Sequence, residues 1–316
     1  MVSGGTPAVV VTGKTRVLGV IGDPVEHTLS PVMQNAALQA VGLDWVYLPF
    51  HVRAESLPSA IGALRALNLV GFNVTIPHKE KILRLVDEVD PFAAWLGAVN
   101  TISRVDGDRL KGWNTDGAGF LAALAEEVGF RPQGARVVIL GAGGAARAIA
   151  GQLYLSGVAS LTIVNRTYSR AEKLVEWLQD APAVAPVRAE GSPKVQLSAL
   201  AWDDAAALAR AIAEADLLVQ ATAYGMYPRV EPEPPVPARL LHPGLVVCDI
   251  VYRPLETALL REARARGARP VTGLGMLVHQ GAASFSIWTG LPAPVSIMRR
   301  AVQEALSTLQ EPEQKT

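Results

Sequence analysis

A glycine-rich segment in the middle of the chain constrains its fold more than any other feature. Residues 141–146 read Gly-Ala-Gly-Gly-Ala-Ala and directly follow an apolar run at 136–140 that is typical of a buried strand. Gly141, Gly143 and Ala146 match the pattern G-x-G-x-x-[G/A]. In that pattern the first glycine allows a tight turn, the second lets the backbone approach a pyrophosphate, and the third residue packs helix on strand. The alternative is a glycine-rich turn in an ordinary α/β protein.

The end of the next predicted strand indicates which dinucleotide the segment would bind. Sites for NAD usually carry an acidic residue there, which holds the ribose 2′-hydroxyl. This chain has Asn165, Arg166 and Thr167 instead, and Arg170 follows. Guanidinium groups and a hydroxyl suit a 2′-phosphate, so the segment favours NADP over NAD. The alternative is that both arginines are solvated charges, although cations at a helix start oppose the helix dipole.

Length and composition exclude several other classes. A chain of 316 residues corresponds to about two domains, and half of its residues are apolar, which is enough for real cores. Lys+Arg and Asp+Glu number 29 each, so the basic excess of a nucleic-acid-binding protein is absent. The single cysteine, Cys248, excludes a disulfide framework and fits a reducing cytoplasm. The five histidines show no metal-ligand spacing, and no apolar run approaches the ~18 residues of a membrane span.

The apolar pattern predicts an α/β protein with two lobes, in which strands and helices alternate and the sheets are largely parallel. Predicted strands lie at 16–21, 45–49, 71–76, 136–140, 161–164, 217–220 and 245–250, with a hairpin within 98–113. Predicted helices follow Pro31 and Asp116 and the glycine-rich segment, and others lie at 54–67, 170–178, 205–215, 274–288 and 295–309. We expect residues 1–14, 180–198 and 228–237 and the tail after 309 to lack regular structure.

Polar residues at the end of the strand predicted at 71–76 are candidate ligands. Strand alternation puts Asn73 and Thr75 on one face, at the edge where open α/β sheets bind their ligands. Lys79 then falls in the first turn of a predicted helix that starts at Pro77. Burial and the helix dipole would both lower the pKa of Lys79 toward the range useful for proton transfer. The alternative is a structural lysine that extends its amine to solvent.

Five further polar residues are candidates of the same kind. Asp116 would orient an ammonium group if it lay beside Lys79, and its alternative role is a helix N-cap. Thr28 and Ser30 offer two hydroxyls that could bind a polyol or a carboxylate, or cap the helix that follows. Asn100 and Gln280 are amides at positions predicted to be buried, where ligand oxygens are one possible set of partners.

Together these segments resemble the shikimate dehydrogenase family, from about residue 16 to residue 300. The motifs that carry the resemblance are GDPVEHTLSP (22–31), GFNVTIPHKE (71–80), GAVNTI (97–102), NTDG (114–117), GAGGAARA (141–148), NRT (165–167), DIVYRP (249–254) and GLGMLVHQGA (273–282). The resemblance implies an N-terminal α/β substrate domain with a mostly parallel sheet, formed by 1–115 and 273–316. It also implies a Rossmann-fold NADP-binding domain at 116–272, with the active site in the cleft between the two.

The resemblance further implies a cytoplasmic oxidoreductase that reversibly reduces 3-dehydroshikimate to shikimate with NADPH, in aromatic amino-acid biosynthesis. Lys79 and Asp116 would be the catalytic pair, and a homodimer is one possible assembly. The implied substrate contacts are Thr28, Ser30, Asn73, Thr75, Lys79, Asn100, Asp116, Tyr252 and Gln280. The implied cofactor contacts are Gly141, Ala142, Gly143, Gly144, Ala145, Asn165, Arg166, Thr167, Arg170, Thr222, Met226, Ile250, Gly273 and Met276.

Two other functions stay open at this stage. A quinate/shikimate dehydrogenase of similar fold would accept quinate and NAD, and the absence of an acidic residue at 165–167 argues against it. A catalytically silent ligand sensor on the same scaffold would need no proton relay, so the presence of both Lys79 and Asp116 disfavours it. Thr28 stands where serine is common in the family, and its extra methyl group could alter the fit around a substrate carboxylate.

Overall fold

The computed structural model describes residues 10–181 and 194–310. Within this part the chain forms two compact units. The first unit comprises 10–90, 99–113 and 284–310, and the second comprises 91–98, 114–181 and 194–283. Much of the predicted loop at 180–198, the first nine residues and the tail after 310 lie outside the described residues. The assignment of substrate and cofactor roles to 1–115 with 273–316 and to 116–272 stays a prediction.

Strands and helices alternate along most of the described chain. The strands are β1 (Arg16–Gly22), β2 (Trp45–His51), β3 (Gly71–Val74), β4 (Glu88–Val89), β5 (Thr101–Val105), β6 (Arg109–Trp113), β7 (Arg136–Leu140), β8 (Ser160–Asn165), β9 (Gln196–Ala201), β10 (Leu217–Gln220), β11 (Val246–Asp249) and β12 (Arg269–Val271). The helices are α1 (Ser30–Ala40), α2 (Leu57–Ala66), α3 (Pro91–Leu96), α4 (Asp116–Val128), α5 (Gly144–Leu155), α6 (Tyr168–Gln179), α7 (Ala205–Ala213), α8 (Ala258–Ala265), α9 (Gly273–Thr289) and α10 (Val295–Gln310). Short 3₁₀ helices lie at Ala54–Ser56, Lys81–Arg84 and Ala238–Leu240.

The first unit contains a six-stranded mixed sheet with the order β2-β1-β3-β5-β6-β4. β1 runs parallel to both β2 and β3, whereas β5 is antiparallel to β3 and forms the predicted hairpin with β6. The hairpin brings antiparallel pairing into a sheet that otherwise follows the predicted parallel pattern. The carboxyl ends of β1 and β3 therefore open at the same edge, where Thr75 N donates to Ile21 O over 3.0 Å.

The second unit contains a six-stranded sheet in which every pairing is parallel. Its order, β9-β8-β7-β10-β11-β12, is the 3-2-1-4-5-6 order of doubly wound dinucleotide-binding sheets. The order reverses between β7 and β10, so the loops after these strands flank the crevice where such sheets bind their ligands. The fold class predicted from the sequence is confirmed.

Apolar residues on both faces explain why the strands of the second sheet read as continuous apolar runs. Val137 and Ile139 of β7 belong to one buried core, whereas Val138 and Leu140 belong to the core on the opposite face. All four are at most 2% exposed. No helix in the described part of the chain is both long and apolar enough to cross a bilayer.

Several predicted boundaries were wrong. The strand predicted at 71–76 ends at Val74, and Ile76, which is 72% exposed, lies in a turn. Residues 196–198 were expected to be a loop but begin β9, whose sequence QLSALA contains no β-branched residue to mark a strand. Four short elements, α3, β4, α8 and β12, were not predicted. Residues 228–237 contain no helix or strand, as expected.

Alanine substitution of a helix-interior glycine tests how closely α4 packs against α9 in the second unit, and the same substitution at Gly62 on α2 is the control. A Cβ at Gly119 would lie 2.5 Å from the backbone N of Gln280 on α9, whereas a Cβ at the exposed Gly62 of α2 meets nothing within 4 Å. We expect Gly62→Ala to raise the free energy of unfolding by about 0.5–1 kcal/mol, because alanine favours helix. Gly119→Ala should lower it by about 1–3 kcal/mol, because the methyl group overpacks a backbone contact. Urea denaturation measures both values. A stabilised Gly119→Ala variant would show that the two helices do not approach this closely.

Candidate active site

The loop after β7 depends on a glycine at its first position. Gly141 has a φ of +113°, and a Cβ there would lie 2.8 Å from the carbonyl oxygen of Ala221 and 2.9 Å from Cγ2 of Thr222. Those two residues follow β10, the neighbouring strand at the point where the strand order reverses. The glycine is therefore required by a close approach of two backbone segments as well as by its φ.

The N-terminus of α5 offers backbone donors to an anion. Gly143 is the N-cap residue, no side chain caps the helix, and its first turn carries no acidic residue. Gly143 and Gly144 are exposed, and a Cβ at either position would meet nothing within 4 Å. Ala146, the third position of the pattern, is fully buried. This open, uncapped helix start fits a phosphate group.

The end of β8 is basic and carries no acidic residue. The Nδ2 group of Asn165 donates to the carbonyl of Thr167 over 2.9 Å, which fixes the turn into α6. Thr167 is the N-cap residue of α6 but makes no side-chain cap, and the first turn of α6 lacks acidic residues. Arg166 and Arg170 are exposed, and within the described residues neither forms an ion pair. The predicted preference for a 2′-phosphate is consistent with this arrangement.

A buried glutamine that was not predicted fixes the loop after β10. Gln220 is fully buried, and its Oε1 atom accepts from both the backbone N and the Oγ1 of Thr222, each at 2.9 Å. Its Nε2 group donates to the carbonyl of Tyr224 over 2.9 Å. The amide therefore holds the backbone from 222 to 224, and Met226, which is 46% exposed, follows after Gly225.

Asp249 performs the same task on the next strand. It is the register partner of Gln220 and is 1% exposed. Its carboxylate accepts from the backbone N of Val251 at 3.0 Å and from Oγ1 of Thr257 at 2.7 Å, so it holds both ends of the loop that carries Tyr252. Burial raises the pKa of Asp249 to about 6, and the two hydrogen bonds oppose that shift. Burial also raises the pKa of the half-buried Tyr252.

The start of α9 lies against the end of β11. A Cβ at Gly273 would fall 2.2 Å from the carbonyl oxygen of Ile250, so only glycine fits there. Met276 follows one turn later and packs on the same apolar core as Ile250. Three of the predicted cofactor residues are thus brought together within the second unit.

Polar residues of the first unit are linked by hydrogen bonds. Oγ1 of Thr28 donates to Oγ of Ser30 over 3.2 Å, immediately before α1. Asn73 and Asn100 are both buried, and Thr101 connects them: its Oγ1 atom accepts from Nδ2 of Asn73 at 3.1 Å and donates to Oδ1 of Asn100 at 2.9 Å. The predicted burial of the Asn100 amide is confirmed.

Thr75 and Lys79 follow β3 in a turn, and the helix predicted from Pro77 was wrong. Thr75 packs over Gly22, where a Cβ would lie 2.4 Å from its Cγ2 atom. His78 is buried, and its Nε2 atom donates to the carbonyl of Val52 over 2.6 Å. The carbonyl of Lys79 accepts from the backbone N of Val99 at 2.8 Å instead of from a helical partner. Lys79 is half-buried in a turn before the short helix at 81–84, so it does not lie at a helix N-terminus. Lys79 therefore lies outside the helix dipole that was predicted to act on it.

Asp116 and Gln280 lie in the second unit. Asp116 is the first residue of α4 and is 7% exposed, and the N-cap position belongs to Thr115 instead, so the alternative N-cap role is wrong. The Thr115 hydroxyl donates to the carbonyl of Gln280 over 3.0 Å, which ties α4 to α9. Gln280 is half-buried rather than fully buried, and its Nε2 group donates to the carbonyl of Leu277 over 2.8 Å.

Sequence reasoning missed the buried residues that hold the predicted ones. Gln220, Asp249 and Thr101 contact predicted site residues or their loops but were not singled out. A polar residue at the end of an apolar run, as in LLVQ and VVCD, was the available signal. Within the described residues no group of three or more His, Cys, Asp or Glu side chains is placed to hold a metal ion.

The fold and the loops at the carboxyl edge of the second sheet define a dinucleotide-binding α/β protein. Three family models match the chain: the shikimate dehydrogenase substrate binding domain at 20–102, shikimate / quinate 5-dehydrogenase at 123–188, and the shikimate 5'-dehydrogenase C-terminal domain at 273–303. The chain belongs to the shikimate dehydrogenase family.

Individual relatives agree over nearly the full length. The shikimate dehydrogenase (NADP(+)) of Methanopyrus kandleri is 48% identical over 299 residues, which cover 95% of this chain and 99% of the relative. A solved shikimate dehydrogenase in complex with NADP+ gives a TM-score of 0.84 at 41% identity, covering 96% of this chain and 99% of that one. The Thermus thermophilus enzyme in complex with NADP(H) and shikimate gives 0.77 at 38% identity, covering 92% and 99%.

The raised pKa of Asp249 predicts a pH dependence of stability. The folded state binds this proton with a pKa of about 6, against 3.8 for an ordinary carboxyl, so protonation favours folding. That stabilisation is present below pH 3.8 and is lost as the pH rises through about 6. Between pH 4 and 7 the free energy of unfolding of the wild type should therefore fall by about 1–3 kcal/mol relative to Asp249→Asn.

Urea denaturation at several pH values measures the difference, with the exposed Asp203→Asn as control. Parallel curves for wild type and Asp249→Asn would contradict the assignment.

Proposed function

We propose that this chain is an NADP-dependent shikimate dehydrogenase, which interconverts 3-dehydroshikimate and shikimate in the cytoplasm as a step of aromatic amino-acid biosynthesis. The observation that carries the proposal is the second sheet, whose carboxyl edge joins an open phosphate-binding helix start to a basic strand end without acidic residues. Family membership over nearly the whole chain supports the choice of substrate. The proposal applies equally to a monomer and to a homodimer.

The cofactor would be held by backbone and side-chain groups of the second unit. The N–H groups of Gly141, Ala142, Gly143, Gly144 and Ala145 would bind the pyrophosphate, as the uncapped start of α5 allows. Arg166 and Arg170, with Asn165 and Thr167, would bind the 2′-phosphate through charge-assisted hydrogen bonds. The nicotinamide side would be lined by Thr222, Met226, Ile250, Gly273 and Met276. When bound, NADP(H) supplies or takes up the hydride.

The substrate would be held by hydroxyl and amide groups. The proposed contacts are Thr28, Ser30, Asn73, Thr75, Asn100, Tyr252 and Gln280. The hydroxyls of Thr28 and Ser30 are already hydrogen-bonded to each other, so they present one joined polar surface to a ligand. Short side chains of this kind suit a small molecule that carries several oxygen atoms.

Lys79 and Asp116 are the proposed catalytic residues. In the oxidative direction the neutral Nζ of Lys79 takes the hydroxyl proton of shikimate as the carbinol hydrogen leaves with its electron pair. In the reductive direction the ammonium group returns that proton to the carbonyl oxygen. The carboxylate of Asp116 would stabilise the ammonium form and orient the amine.

Four reaction mixtures test the function. Purified protein is mixed with shikimate or quinate, each with NADP or NAD, and reduction of the cofactor is followed by absorbance. We expect fast reduction with shikimate and NADP only. NADP is expected because the end of β8 carries arginines and no acidic residue, and shikimate because of the similarity to shikimate dehydrogenases (NADP(+)). Comparable rates with quinate or NAD would indicate the broader-specificity relative. Ligand binding without turnover in every mixture would indicate the sensor.

Replacement of Lys79 tests the proton relay. Lys79→Ala should lower kcat by about 10²–10⁴, on the order of 3–5 kcal/mol in the barrier, because the hydroxyl proton loses its acceptor. The exposed neighbour Lys81 provides a matched control, and Lys81→Ala should stay within about twofold of wild type. Steady-state kinetics at saturating NADP measure both variants. A Lys79→Ala enzyme within threefold of wild type would remove Lys79 from the mechanism.

A further inference from the structure

Two residues outside the predicted site join the loop after β10 to the loop after β11. The backbone N of Tyr227 donates to the carbonyl oxygen of Arg253 over 2.9 Å. The guanidinium group of Arg253 also lies over the ring of Tyr227, with its Cζ atom 4.1 Å from the ring centroid. Both residues belong to the second unit, so two of its loops are held together by a backbone hydrogen bond and a side-chain stack.

Each of these residues directly follows a proposed site residue. Tyr227 comes after Met226, which is proposed for the nicotinamide side, and Arg253 comes after Tyr252, which is a proposed substrate contact. The N–H group of Tyr227 belongs to the peptide unit that joins it to Met226. Because that unit is planar, a hydrogen bond that fixes its N–H group also sets the ψ angle of Met226.

The Arg253 end of the contact acts beside Tyr252. The guanidinium group is attracted to the negative face of the Tyr227 ring, and this stack fixes the direction of the Arg253 side chain. The same charge acts on Tyr252, because burial raises the pKa of Tyr252 and the positive charge of Arg253 opposes that rise. One cation therefore contacts the neighbouring loop and influences a proposed substrate ligand.

The buried side chains at the strand ends hold each loop separately. Gln220 holds the loop after β10 as far as Tyr224, and Asp249 holds both ends of the loop after β11. The contact between Tyr227 and Arg253 lies beyond these points, and it holds one loop against the other.

We propose that Tyr227 and Arg253 are positioning residues that hold Met226 and Tyr252 in place for the reaction; this rests on the proposed function. Their contact orders the nicotinamide side and the substrate contact together. Loss of either side chain removes the stack, and both loops then adopt further orientations in which cofactor and substrate bind less tightly.

Removal of either side chain tests the proposal. Arg253→Met keeps an apolar stem and removes the cation, whereas Tyr227→Leu removes the aromatic face. We expect each variant to raise the KM for shikimate about 5- to 30-fold and the KM for NADP about 3- to 10-fold, with kcat within threefold of wild type. Partial unfolding would lower kcat through the active fraction and leave both KM values unchanged, so this split identifies lost positioning.

Two further variants serve as controls. Tyr227→Phe keeps the ring that stacks on the cation and should leave all three constants within twofold of wild type. Arg229→Met removes an exposed cation from the same loop and should also leave them within twofold. A loss in either control as large as that in Arg253→Met would overturn the proposal.

The double variant shows whether the two residues act through one contact. If they do, adding Tyr227→Leu to Arg253→Met should change the KM for shikimate by less than twofold. Effects that multiply in the double variant, an effect in only one of the single variants, or an unchanged KM for shikimate would each overturn the proposal.

Amide hydrogen exchange followed by NMR tests the contact without any need for activity. The N–H group of Tyr227 should exchange about 5- to 20-fold faster in Arg253→Met than in wild type, because its hydrogen bond opens more often. In Arg229→Met the rate should stay within threefold of wild type. Equal rates in wild type and Arg253→Met would overturn the proposal. A wild type that does not oxidise shikimate would overturn the proposed function instead, and the exchange rates would still show whether the contact forms.

Discussion

The second unit depends on one close approach, where the backbone after β7 meets the backbone after β10. A Cβ at Gly141 would lie 2.8 Å from the carbonyl oxygen of Ala221, so no other residue allows the two strands to end side by side. The start of α5, with its uncapped N–H groups, is placed by that contact. The open, uncapped start of α5, which we propose binds phosphate, is therefore a consequence of how tightly two neighbouring strand ends pack.

Buried polar side chains fix loops in the second unit and a strand residue in the first. Each has its hydrogen-bonding capacity taken up by the segment that it positions, as an amide or carboxylate in an apolar core requires. Gln220 and Asp249 act at the ends of neighbouring parallel strands, and in the mixed sheet the hydroxyl of Tyr47 on β2 donates to Oδ1 of Asn73 on β3 over 2.7 Å. In the second unit, side chains at the strand ends thus fix the backbone of the loops that follow those strands.

The sequence predicted what local pattern determines. Apolar periodicity located β7 and β10 to the residue, and the glycine pattern placed the loop between β7 and α5. It could not predict the turn at Lys79, because the Lys79 carbonyl accepts from the backbone N of Val99, a residue distant in sequence, instead of from a helical partner. It also could not predict the hydrogen bond from Tyr47 to Asn73, since an aromatic residue in a strand is typical of the core and its polar partner is 26 residues distant.

The hydrogen bonds made by the Gln220 and Asp249 side chains span only short distances along the chain. The bonds of Gln220 end at Tyr224 and those of Asp249 end at Thr257, so neither involves the proline-rich stretch at 228–237. The stretch is nevertheless anchored to the same edge of the sheet, because Glu231 Oε2 accepts from the backbone N of Gly225 at 2.5 Å and Val236 is buried in the core beside β7 and β11. Changes in its length therefore have to preserve these two anchors, whereas its exposed residues at 228–230 are free to vary in side chain.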